Sequence, residues 1–245
     1  MTYLANIGRY GLMLLEMFKK PTKWGVMKKL ILKEIDELIF SSLGIIIFIS
    51  FFIGGVVTIQ TALNLTSPFL PKSLIGFATR QSVILEFAPT FTSIIMVGKV
   101  GSYITSSIGS MRVTEQIDAL EVMGVNSMNY LIFPKFIAML FYPFAIAISM
   151  YVGIFGGWSA AVFGGYAPTS EFIAGIQQDL VVFHVVYAFI KSLVFAVVIA
   201  TLPAYHGYYL KGGALEVGKA ATTSFIWTSV VLIILNYVLT QLLLG

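Results

Sequence analysis

Cysteine is absent from the 245 residues, which excludes disulfides, thiolate metal sites and a cysteine nucleophile. Histidine is almost absent too. His184 and His206 stand far apart, and neither has a carboxylate at ligand spacing, so zinc or haem has no ligand set to use. Charge is the third scarcity: Asp, Glu, Lys and Arg supply 11% of the chain, against about 25% in soluble domains. That is too little polar surface to clothe a water-soluble globule. No cleavable leader is expected, because the first long apolar run exceeds an h-region and lacks a small-residue cleavage site. Acid-rich motifs at a membrane edge are also missing, which argues against an enzyme acting on lipids. What fills the chain is apolar, 58% of it, and the class this implies is an all-α integral membrane protein.

A helix needs about 20 largely apolar residues to cross the bilayer. Residues 38–71 carry no charge, and "LGIIIFISFFIGGVVTIQTAL" forms a first span ending near Leu63. "NLTSPFLPKS" supplies turn residues. Further spans are expected at about 80–104, 137–163, 180–203 and 220–244, five in all. The second contains Glu86, Pro89 and Lys99, the third Pro143 and several glycines, the fourth His184 and Lys191. Gly54, Gly55, Gly153, Gly156 and Gly157 read as sites of close helix packing. Lysine and arginine crowd one set of connections, from Arg9 through Lys33 and then Arg112, Lys135, Lys211 and Lys219, whereas the other set holds only Lys72 and Arg80. By the positive-inside rule the N-terminus is cytoplasmic and the C-terminus periplasmic.

Ahead of the first span, Leu4, Ile7, Gly11, Leu14, Leu15 and Phe18 recur at helical spacing. After Pro21 so do Trp24, Met27, Leu30, Ile31, Ile35 and Leu38. Amphipathic helices too charged to span, with basic residues and an aromatic anchor, lie in the interface. Residues 1–37 are therefore read as an N-terminal interfacial elbow helix, with 38–245 the five-helix transmembrane domain. A soluble helical hairpin packed on a partner is the alternative.

"GGALEVGKA", residues 212–220, comes within one residue of a phosphate-binding loop. Such a loop needs backbone N–H groups around phosphate, a lysine for the outer phosphates and a Ser or Thr hydroxyl for Mg²⁺. Ala220 occupies the hydroxyl position, and the segment joins two spans where the motif requires a strand before it. It reads as a turn, so the chain is not expected to hydrolyse ATP.

The connection between spans two and three carries the strongest signal. In "GSMRVTEQIDALEVMGVNSMNYLIFPK", Val113, Ile117, Leu120 and Met123 share one side of a helical wheel, and Glu115, Asp118 and Glu121 lie nearly opposite. A short amphipathic helix over about 110–124, stopped by Gly124 as C-cap, is expected. An acidic face suits an anionic leaflet poorly, so a basic or donor-rich protein partner fits it better than lipid does.

The string "VGKVGSYITSSIGSMRVTEQIDALEVMGVNSMNYLIFPK", residues 97–135, closely resembles the signature region of the MlaE/YrbE family of ABC-transporter permeases. "IKSLVFAVV", "YHGYYLKGGALEVGKAATTS" and "NYVLTQLLLG" extend the resemblance over about 40–245. It implies the membrane subunit of an ATP-driven transporter in the bacterial inner membrane. Phospholipid would move between that membrane and the periplasmic path to the outer membrane. A homodimer is implied, with two copies of a separate ABC ATPase, an MCE-domain periplasmic ring protein and, in some members, a STAS-domain regulator. ATP and Mg would be bound by the ATPase, this chain would hold no cofactor, and no nucleic-acid partner is expected. Under this resemblance Glu115, Gln116, Asp118 and Glu121, supported by Arg112, form the coupling helix seated in the ATPase. The chain also departs from the family. An Arg–Glu pair common before the span-two proline is here Leu85-Glu86, and Asn236 stands where relatives often carry Asp.

A charge inside the membrane costs about 2.5–3.5 kcal/mol even on the lenient insertion scale. Lys191 falls near the middle of its span, and Glu86 roughly 9 Å from the outer end of its own at ~1.5 Å per residue. Two readings stand side by side. Gln60 and Glu86 line a lipid pocket while Lys191 neutralises a buried acid, or Glu86 and Lys191 pair structurally and touch no substrate. An ion-coupled secondary transporter without an ATPase, using Glu86, His184 and Lys191 as a relay, is the functional rival.

Overall fold

The computed structural model describes residues 2–19, 22–65 and 70–245. The expected break at Lys20–Pro21 and much of the "NLTSPFLPKS" turn lie outside the described residues. Among the described residues every regular element is helical, and five helices are long and apolar enough to cross a membrane. The all-α integral membrane class holds.

The spans are longer than their apolar cores. α1 (Thr2–Met17) precedes α2 (Trp24–Ile35), which runs through a π-helical stretch, Asp36–Phe40, into α3 (Ser41–Asn64). The elbow segment after Trp24 is thus continuous with the first span, because the charges of 33–37 do not interrupt backbone hydrogen bonding. The second span begins at Ser73 instead of 80. It passes through α4 (Ser73–Ser82), a π stretch Val83–Phe91, α5 (Thr92–Met96), a second π stretch Val97–Gly101, and α6 (Ser102–Val113). Pro89 sits inside the first π stretch, where a missing N–H is accommodated by widening the turn. α7 (Gln116–Val122) is short. α8 (Ser127–Leu131), α9 (Phe133–Met139) and α10 (Tyr142–Phe163) make the third span. α11 (Thr169–Gln177) follows, then the fourth span α12 (Val182–Tyr208) and the fifth, α13 (Ala214–Leu244).

The chain forms two compact units. One comprises Met1–Ser42, Ile94–Tyr142 and Val194–Val238; the other comprises Leu43–Ser93, Pro143–Leu193 and Leu239–Gly245. In the first unit, two asparagines tie α1 to α8. Asn126 Nδ2 donates to the Glu16 and Lys19 carbonyls at 3.0 and 2.8 Å, satisfying orphan acceptors at the end of α1, while its Oδ1 caps α8 by accepting from Asn129 N–H. Asn129 Nδ2 donates to the Met17 carbonyl at 2.7 Å, and its Oδ1 accepts from Thr22 N–H and Oγ1. Deeper in, Lys135 pairs with Glu34 at 2.5 Å and lies 5.3 Å from the Tyr103 ring, holding α2 to α9. Lys99 donates to the Ser41 carbonyl and hydroxyl.

In the second unit, α3 and α10 approach backbone to backbone. A Cβ on Gly54 would overlap the Gly153 carbonyl, and one on Gly156 the Phe51 carbonyl. The expected small-residue packing is present, and Ser50, Ser149 and Thr92 hydroxyls link up beside it at 2.7 and 3.1 Å. Gly55 is different: its nearest neighbour would be 3.6 Å away.

Arg80, read from the sequence as a boundary charge, is instead 3% exposed. Its guanidinium donates to the Ile176, Gln178 and Asp179 carbonyls at 2.6, 2.8 and 3.2 Å, clasping the C-terminal end of α11 against α4. A planar cation with several donors suits the negative end of a helix. Arg80→Met should lower unfolding stability by about 1–3 kcal/mol, since three carbonyls at the end of α11 lose a charged donor. Thermal unfolding in detergent measures this; an unchanged midpoint would show that the clasp contributes nothing.

Candidate functional site

Two groups of side chains stand apart from helix packing. The first surrounds α7. The expected continuous helix over 110–124 is broken: α6 ends at Val113, and Glu115 adopts a left-handed backbone, φ 58°. The break falls where Thr114 turns its hydroxyl back on the Ser110 carbonyl at 2.9 Å, satisfying an end acceptor of α6. At the other end, Gly124 has φ 75°, Gly124 N–H donates to the Glu121 carbonyl and Val125 N–H to the Leu120 carbonyl. This 5→2 and 6→1 pattern is the glycine C-cap expected of Gly124.

The kink redistributes the faces. Ile117 is fully buried and Leu120 half-buried, as the wheel requires, but Met123 is 68% exposed and Val122 89% exposed. Met123 lies beyond the last helical turn, where the wheel no longer applies. The acids also part company. Glu115, Gln116, Asp118 and Glu121 are all exposed, but their partners differ. Asp118 accepts from Arg112 Nη1 at 2.8 Å, and Gln116 Nε2 donates to the Thr114 hydroxyl at 3.0 Å. Glu121 turns its Oε1 to the chain itself, accepting from Ser127 Oγ at 2.9 Å and Tyr208 OH at 3.0 Å. Neither Ser127 nor Tyr208 was singled out in the sequence.

Tyr10, on α1, hydrogen-bonds the Thr201 hydroxyl at 2.6 Å and meets the Tyr205 ring edge-on at 5.9 Å. Burial pushes its phenol above the ordinary range and the Thr201 bond opposes that only in part, so the hydroxyl stays a neutral donor.

The second group lies in the spans of the other unit. Lys191 Nζ contacts Glu86 Oε1 at 2.8 Å, with the lysine side chain fully buried and the Glu86 side chain 39% exposed. Lys191 also reaches the Leu85 carbonyl at 3.4 Å and sits 4.5 Å from the Tyr187 ring centroid. Glu86 accepts from Thr90 at 3.0 Å, Thr240 at 3.4 Å and Tyr187 at 3.5 Å, and Tyr187 and Thr240 bond each other at 2.9 Å. Because the second span begins at Ser73, Glu86 lies about 20 Å along the helix from its start, deeper than the 9 Å expected, at ~1.5 Å per residue. Gln60 is placed elsewhere, in an open groove of about 300 Å³ along α3 with Val56, Ile59, Leu63 and Asn64. His184 stands half-buried at the start of α12.

The near phosphate loop is not a loop. α13 begins at Ala214, ahead of the expected 220, so Gly218, Lys219 and Ala220 are helical. Their N–H groups serve the helix, and Lys219 pairs with Glu216 at 2.7 Å. Nothing there can cradle a phosphate.

Comparison with known proteins agrees with this architecture. The profile of the family described as Permease MlaE matches residues 31–242. A probable ABC transporter permease protein of Rickettsia bellii is 31% identical over 238 residues, 97% of this chain and 92% of the relative. A probable ABC transporter permease protein of Synechocystis is 34% identical over 205 residues, 82% of this chain and 77% of the relative. The intermembrane phospholipid transport system permease protein MlaE of Haemophilus influenzae is 27% identical over 245 residues, 99% and 94% of the two chains.

Proposed function

Because this chain belongs to the MlaE permease family, we propose that it is the membrane subunit of an ATP-driven transporter moving phospholipid between the bacterial inner membrane and the periplasmic path outward. The family match over residues 31–242 carries the reading, supported by the phospholipid transport for which the Haemophilus influenzae relative is named. Lysine and arginine placement puts the N-terminus and the α6–α8 corner in the cytoplasm and the C-terminus in the periplasm. The working unit is two copies of this chain with two ABC ATPase subunits, which bind ATP and Mg, and an MCE-domain ring on the periplasmic side. A STAS-domain regulator is an optional addition.

The α7 corner is the ATPase dock. Asp118 is already paired with Arg112, so exposed Val122 and Met123 supply the apolar anchor and Glu115, Gln116 and Asp118 a polar rim. Apolar anchors at an interface centre dominate binding, and rim charges contribute less. Replacing Val122 and Met123 together by Asp should cut co-purification of the ATPase at least about tenfold. Glu115→Lys with Asp118→Lys should weaken it as well. Unchanged pull-down of the ATPase by both double variants, with normal permease yield, would refute the dock. Within the membrane, Lys191 is the sealed counter-charge of Glu86, while Glu86 and Gln60 keep exposed surface that a lipid can meet.

A further inference from the structure

α7 is a short rod between two left-handed residues, Glu115 at φ 58° and Gly124 at φ 75°. The helix axis is thus broken at both ends, and what α7 moves with it depends on its side-chain ties. Beyond the local Gln116–Thr114 bond, the described residues give it two polar ties. Toward α6 it has the Arg112–Asp118 pair, whose side chains are 36% and 53% exposed; an ion pair in that much solvent holds weakly. Toward α8 and α12 it has Glu121.

At the Glu121 tie the acid is itself exposed, but the two hydroxyls that hold it are buried. Ser127 is 2% exposed and Tyr208 6% exposed. Ser127 Oγ and Tyr208 OH lie 2.7 Å apart, and both reach Glu121 Oε1. The carboxylate can only accept. Two hydroxyl hydrogens serve three contacts, so at least one always reaches the carboxylate. Charge-assisted bonds of this kind are about twice as strong as neutral ones, and here two of them converge on one carboxylate oxygen. Tyr208 is the last residue of α12, and Ser127 the first of α8. The same α8 end is clasped to α1 through Asn126 and Asn129.

We propose that the Glu121–Ser127–Tyr208 triangle is the linkage that hands displacement of α7 to the fourth span, with Ser127 as its hub and α1 carried along by the asparagines. Glu121 is on this account a positioning residue that works through Tyr208, and not a contact to the ATPase. The inference rests on the transport reading above.

The test uses the permease purified with its ATPase and reconstituted in proteoliposomes, counting fluorescent glycerophospholipid transferred per ATP hydrolysed. Tyr208→Phe removes one oxygen and keeps the ring; Ser127→Ala removes the hub. Each should retain the ATPase and its hydrolysis rate while lipid moved per ATP falls about tenfold, the scale of one lost charged hydrogen bond. Ser127→Thr keeps the hydroxyl and should restore the yield. Tyr208→Phe combined with Glu121→Gln should be no worse than either alone, as expected of one coupled unit. Wild-type yield per ATP in both single variants overturns the linkage. Loss of the ATPase from both overturns it too, by making the triangle part of the dock. A wild-type complex that hydrolyses ATP without moving lipid sinks the transport reading instead. The linkage is then judged by hydrogen exchange: ATPase binding should protect the amides ending α12 in the wild type and not in Tyr208→Phe, and equal protection in both refutes it.

Discussion

Lys191→Met is expected to destabilise the protein by about 2–3 kcal/mol, the cost of leaving a half-exposed carboxylate inside a span without its cation, less than for a fully buried pair. Glu86 would keep the hydroxyl donors of Thr90, Thr240 and Tyr187 but lose an ammonium 2.8 Å away. Methionine fills similar volume, so lost packing adds little. The second arm is the double variant Lys191→Met with Glu86→Gln. Removing both charges eliminates the orphan, and stability should return to within about 1–2 kcal/mol of wild type, because pairing two desolvated charges roughly breaks even. Thermal or denaturant unfolding in a fixed detergent gives both numbers. A single variant as stable as wild type, or a double variant no better than the single, would remove the pair from the fold's stabilising contacts.

The second large effect separates two adjacent glycines. Gly54→Ala should prevent accumulation of folded protein, because its Cβ would overlap the Gly153 carbonyl, and backbone cannot yield as a side chain can. Moving α3 away from α10 to make room would also disturb Gly156 on Phe51. Overpacking costs typically about 1–3 kcal/mol when side chains can shift, and more when they cannot. Gly55→Ala meets nothing closer than 3.6 Å and should be neutral or stabilising, by up to about 1 kcal/mol from helix propensity. Yield of monodisperse protein and its unfolding midpoint decide the comparison. Equal behaviour of the two variants would mean that the helices do not meet as described.

Several features were legible in residue order alone. The spans follow from apolar runs longer than any soluble helix needs, and the family from one uninterrupted string at 97–135. Gly124 was readable as a C-cap because a glycine after an amphipathic turn has one common use. Their boundaries were not readable. α4 is polar enough, with Thr79, Arg80, Gln81 and Ser82, to look like a connection, yet Arg80 finds partners at the end of α11 and the Thr79 hydroxyl finds Thr58 on α3. The helix through 214–219 was hidden in the same way by two glycines and a lysine.

The site divides along the same line. That α7 would be amphipathic and acidic was written in its spacing, which is local. Which acid stays available is not local: Glu121 is claimed by Tyr208, 87 positions away, while Asp118 is claimed by Arg112 within the same corner. Likewise Glu86 and Lys191 announce themselves singly, as charges where charge is expensive, but nothing in their neighbours says that they meet, or that Tyr187 and Thr240 join them. Composition and periodicity by themselves determined the solvent and the helical class, since each depends on what a segment can bury, and the signature string carried the lineage. The partners of each polar group were decided only by the tertiary structure, because a hydrogen bond depends on angstroms between atoms that the chain places far apart.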